Sequence, residues 1–156
     1  MDDLPTEFER YAKRLLAQYP EISTKWGWLA NNGKRLTIFK QEELGFDVAV
    51  EARTDGLYPY AGGWHGPPWE VNSQQETYEH MCEQFMGFIR SLLCEDSQLE
   101  VRYAGSWPYK WRLTYPTEDG FMTEETGLFI FNYFGARSRR IFQNHHFPPR
   151  YKGGSA

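Results

Sequence analysis

Four histidines, two cysteines and 21 acidic residues are the groups of this chain able to do chemistry. His65 lies in residues 58–70, YPYAGGWHGPPWE, where glycine, proline and aromatic rings crowd together. A hydrolytic reading of this stretch uses His65 as a base oriented by a nearby acid. Glu42, Glu43, Asp47 and Glu51 supply acids close in sequence, and a paired-carboxylate glycosidase arrangement would draw on the same four. Nothing in their spacing specifies a pair. Cys82 falls on an apolar helical stripe and Cys94 at the end of that helix, so both read as packing residues. No GxSxG elbow occurs. Zinc sites carry paired ligands at short spacing, and the chain has neither CxxC nor HxxxH. Glu76, His80 and Glu83 share a helical face that reads as solvated, and His145 and His146 read as exposed neighbours. The expectation is a chain with no catalytic residue, no metal and no cofactor.

Arg137, Arg139 and Arg140, followed by Phe142, Phe147, Arg150, Tyr151 and Lys152, are the residue types of phosphate contact and base stacking. The whole chain opposes that reading, with a net charge of −4 and a pI near 5.6. The charge is unevenly divided. The first 125 residues hold all 21 acids and 12 of the 17 Lys and Arg, a net of −9, and the last 31 carry +5. The arginines are expected to guard an edge strand, and nucleic acid is not the expected partner.

In residues 58–70, Pro59, Pro67 and Pro68 restrict the backbone, whereas Gly62, Gly63 and Gly66 permit turns. The segment is expected to be ordered, with Tyr58, Tyr60, Trp64, His65 and Trp69 in fixed places. Rigid rings of this kind serve as interface anchors or as caps on a core. Together with acidic Glu42, Glu43, Asp47 and Glu51, they form the expected partner-binding set.

Elements must position these groups. Asp3 and Pro5 open a helix whose apolar face is Phe8, Ala12, Leu15, Leu16 and Tyr19, ended by Pro20. Residues 25–30 and 35–40 flank the turn Asn31-Asn32-Gly33 and predict a hairpin. Phe46, Val48, Val50 and Ala52 alternate with Asp47, Ala49, Glu51 and Arg53, predicting a half-buried strand. Ser73 and Glu76 have capping-box spacing before a long helix marked by Tyr78, Met81, Cys82, Phe85, Ile89, Leu92 and Leu93. Two alternating runs, 99–103 and 109–115, join at Gly105-Ser106 as a hairpin. Residues 128–134 read as a central strand and 138–143 as a basic edge strand.

The pattern predicts an α+β domain over residues 1–150, with an antiparallel sheet of about six or seven strands and two main helices on one face. Residues 151–156 read as a flexible tail. The two cysteines would lie about 18 Å apart along one helix, beyond the roughly 7 Å reach of a disulfide. With no secretory leader and no apolar run of spanning length, a cytoplasmic protein is expected. Size, acidity and the missing catalytic motif parallel those of immunity-type inhibitors that neutralise bacterial toxins. The expected function is therefore non-enzymatic binding of a basic toxin or effector domain. The alternative is a small-molecule or hydrolytic site using the aromatic stretch and His65.

Overall fold

A computed structural model describes residues 3–71, 77–128 and 135–145. Helix α1 (Leu4–Leu16) leads into β1 (Thr24–Trp28), β2 (Lys34–Ile38), β3 (Val48–Ala52) and β4 (Gly56–Ala61). Two short strands, β5 (Trp64–His65) and β6 (Trp69–Glu70), precede α2 (Tyr78–Leu93). The chain continues as β7 (Gln98–Ala104), β8 (Trp107–Thr117), β9 (Gly120–Gly127) and β10 (Arg137–Gln143). The class is α+β as expected, but the strands divide between two antiparallel sheets. One has the order β1-β2-β3-β4, with β5 and β6 both paired to β4, and the other has the order β10-β7-β8-β9.

Both helices form where local chemistry satisfies their first turns. The Asp3 carboxylate accepts the Thr6 N–H at 3.0 Å, and Pro5 occupies a position whose N–H would have no helical partner. In α2 the Thr77 hydroxyl accepts the His80 N–H at 3.2 Å, so Thr77 is the cap. The box expected at Ser73 and Glu76 lies outside the described residues. The two helices pack on each other and on β3. Phe85 meets Phe8 at 6.2 Å and Trp69 at 5.0 Å, while Phe88 meets Tyr115 of β8 at 5.1 Å. α2 thus carries one continuous apolar cluster from the first sheet to the second, each large ring contributing about 1.5–3 kcal/mol by burial.

Strand β3 departs from the half-buried expectation, because all five of its residues are buried. Val48 and Val50 join the core under the helices, as foreseen. On the other face, long side chains from its neighbours lie over Ala49 and Glu51: Arg35 from β2 and Tyr58 and Tyr60 from β4. Strand β9 is a second departure. Its eight residues, GFMTEETG, contain no buried position, so no apolar alternation marked it in the sequence. β10 is the basic edge strand expected. Positions 129–134 of the expected central strand lie outside the described residues.

The stretch 58–70 is a split strand pair. Tyr60 and Ala61 pair with His65 and Trp64, and Gly56 and Leu57 pair with Glu70 and Trp69. β5 and β6 are therefore two halves of one edge partner to β4, separated by Gly66, Pro67 and Pro68. The prolines have no N–H for a ladder, so the pairing breaks there.

Candidate functional site

The residues expected to bind a partner separate across the first sheet. Successive side chains on a strand point to opposite faces, and the register puts Arg35, Glu51 and Tyr58 in one cross-strand row and Thr37, Ala49 and Tyr60 in the next. Both rows lie on the face away from the helices. Trp64 lies on the helix side at 1% exposure, with its ring against Gly66. Trp69 is half-buried and stacks on Phe88 at 5.7 Å. Neither indole is an exposed anchor, and Trp64 takes the core-capping place, the other expectation for these rings. The ring is drawn inward because the β4–β5 turn reverses the chain over the core.

That turn also joins the two sheets. Gly62 has φ +57°, a conformation that L side chains rarely adopt. Gly63 lies so close to the Trp111 ring of β8 that a Cβ added there would be 2.3 Å from Nε1. The Thr126 hydroxyl of β9 donates to the His65 carbonyl at 2.9 Å. The exposed His65 imidazole meets no carboxylate among the described residues.

On the outer face, Glu51 is the hub. Its Oε1 accepts from Arg35 Nη1 at 2.7 Å and its Oε2 from Arg53 Nη2 at 2.5 Å, with the Tyr60 hydroxyl 3.5 Å from Oε2. Burial alone would raise the Glu51 pKa. The Arg53 hydrogen bond and the charges of Arg53 and Arg35 outweigh that and hold it below the usual carboxylate value. The same arginines cover the tyrosines: Arg53 lies 4.5 Å from the Tyr58 ring centre, and Arg35 lies 5.4 Å from that of Tyr60. Burial, followed by the Glu51 charge, raises the Tyr60 pKa, and the hydrogen bond to Asp55 raises that of Tyr58. Both phenols therefore stay neutral donors at physiological pH.

Tyr60 also lines a cleft of about 490 Å³ between this face and the inner face of the second sheet. Arg35, Asp47, Tyr103, Trp111 and Phe142 form other parts of its wall. Asp47 accepts the Lys40 N–H at 2.8 Å, which fixes the turn carrying Glu42 and Glu43 at the cleft's rim. Both glutamates are exposed, and Leu44 beside them is 65% exposed. Tyr60 and Asp47 thus line one cleft, Tyr58 occupies the neighbouring row of the same sheet face, and Glu51 works beneath the two tyrosines as a support.

The other candidates disperse. Cys82 and Cys94 are buried free thiols, and burial pushes Cys82 up to about 12, so it is no nucleophile at neutral pH. Among the described residues, no three His, Cys, Asp or Glu are placed to hold a metal ion. His80 bonds Gln84 at 2.9 Å. The expected basic group is divided by strand alternation, a correction to its composition. Arg137 and Arg139 share the outer face of the second sheet, whereas Arg140 lies on the cleft side, 5.9 Å from the Tyr103 ring. Sequence reading missed Arg35 and Arg53 as the groups that order the tyrosines. Their alternating phase was legible, but their partner on a third strand was not.

No protein-family model matches this chain, and no curated protein or solved structure shows significant similarity to it. Among the described residues, no helix is long and apolar enough to cross a membrane.

Proposed function

We propose that this chain is a non-enzymatic protein-binding domain whose working surface is the outer face of β3 and β4 together with the acidic turn at the cleft's rim. The observation that carries this reading is the fixing of Tyr58 and Tyr60 by Arg53 and Arg35, with Tyr60 sharing a cleft with Lys40 and Asp47, which flank exposed Glu42 and Glu43 in sequence. Rings already held in place lose little entropy on binding, and tyrosine offers apolar area and a polar tip together. The two glutamates favour a basic partner and accelerate its approach. Small size, a net charge of −4 and buried, unpaired cysteines fit an immunity-type inhibitor that covers the active surface of a bacterial toxin in the cytoplasm.

The test is capture of a partner from native cell extract by wild type and by Tyr58→Ala/Tyr60→Ala, followed by binding kinetics with the captured protein. Charge reversal at Glu42 and Glu43 slows association, with the effect fading in high salt. Loss of the two rings accelerates dissociation by at least tenfold, a typical effect for aromatic anchors worth about 2 kcal/mol. A partner that binds wild type and both variants with equal kinetics refutes this surface.

A further inference from the structure

The solvent face of the second sheet gathers cations that the linear sequence scatters. Across β10, β7 and β8 the register sets Arg139 beside Arg102 and Arg102 beside Lys110. Glu100 lies opposite Arg112, and Arg112 lies opposite Glu125. A bulge between Arg102 and Tyr103 brings Tyr109 onto the same face as Lys110, where Arg137 lies 5.4 Å from the Tyr109 ring centre. Five cations therefore meet two carboxylates, leaving this face three charges positive on a chain that is negative overall.

The pairing leaves donors unused. Arg102 and Arg112 each contact their acid through Nε, at 2.7 and 2.8 Å. Arg139 stands 3.6 Å from Glu100 and is 69% exposed. Among the described residues, Arg137 meets no carboxylate. The acids nearest the sheet in sequence, Glu95 and Asp96 before β7 and Glu118 and Asp119 in the β8–β9 turn, belong to the end opposite Arg137. At the basic end Trp107 pairs with Ala104 and is 70% exposed.

The geometry points to a binding surface for single-stranded nucleic acid on this face, with Arg102, Arg137 and Arg139 on the phosphates and Trp107 and Tyr109 stacking on bases. Guanidinium groups with free Nη donors match the two-oxygen geometry of a phosphodiester. An open antiparallel sheet with exposed rings serves unpaired bases, which alone offer their faces for stacking. Net charge does not decide the matter, because charges on the far side of the molecule lie beyond the roughly 8–10 Å screening length at ordinary ionic strength. This face lies on the other sheet from the tyrosine surface, so the two readings stand or fall separately.

The test is anisotropy of a short fluorescent oligo(U) strand titrated with the full chain between about 50 and 200 mM salt. Saturable binding that weakens with salt is expected, and Arg137→Ala/Arg139→Ala lowers the slope of log K against log salt by about 1.4. Trp107→Ala weakens binding about tenfold, in the range for loss of one stacked base. These side chains are exposed, and circular dichroism of each variant checks that it is folded. Tyr58→Ala/Tyr60→Ala binds the strand like wild type. Three results overturn the proposal: no saturable binding at low salt, binding that the arginine pair does not affect, or retention of polyglutamate or phosphatidylserine vesicles in place of the strand.

Discussion

The side-chain amide of Asn144 bonds both backbone groups of Phe46, accepting its N–H through Oδ1 and donating Nδ2–H to its carbonyl, each at 3.0 Å. Asn144 is 2% exposed and follows β10, whereas Phe46 leads into β3, so one residue ties the edge of the second sheet to the first. The adjacent bond from Gln143 N–H to the Leu44 carbonyl at 2.8 Å extends this tie. Removing a buried partner exposes the desolvation cost of the groups left behind.

Asn144→Ala is therefore expected to lose roughly 2–4 kcal/mol in urea unfolding, since two buried backbone groups go unpaired. Asn144→Asp is expected to lose at least as much, because its carboxylate still accepts from Phe46 N–H but sets a buried anionic oxygen against the Phe46 carbonyl. Equal midpoints for wild type and Asn144→Ala would show that the tie contributes nothing.

Gly63→Ala places a methyl group where the Trp111 ring lies. Overpacking of this kind costs about 1–3 kcal/mol. Trp111→Ala removes the obstacle, so the double variant should be more stable than the sum of the single changes implies. Additive losses would mean that Gly63 is required for its backbone alone.

Glu51→Gln tests the arginine hub by its pH dependence. The folded-state pKa of Glu51 is depressed, so the carboxylate's contribution is fully present above the unfolded value, near 4.5, and is lost as pH falls through the folded one. The stability advantage of wild type over Glu51→Gln is thus largest at neutral pH and shrinks on acidification. A gap that stays constant from pH 7 to strong acid would contradict that account.

Trp64→Ala is expected to destabilise by about 3–5 kcal/mol, as for a large ring removed from a packed core. Partner loss in that variant reports damage to the fold, whereas Tyr60→Ala, which removes a half-buried ring on the outer face, is expected to cost less than Trp64→Ala. A wild-type midpoint for Trp64→Ala would return that indole to the candidate surface.

The sequence by itself determined the class and the elements with strong internal periodicity. Met81, Cys82, Phe85, Ile89 and Leu92 mark α2 because helical spacing alone places them on one buried face. Alternation marked β7 and β8, and three arginines marked β10 as an edge. Periodicity says which residues share a face of one strand, but not which strand lies beside it. The division into two sheets, the covered outer face of β3 and the existence of β9 followed only from pairing between distant segments. Whether Trp64 turned inward and Tyr60 outward depended on the β4–β5 turn, where Gly63 leaves room for Trp111 from another sheet. Register likewise decided which arginines act together: it separated Arg140 from Arg139 and joined Arg139 to Arg102 and Lys110. These outcomes arise from long-range contacts, whose geometry is absent from any local stretch of the chain.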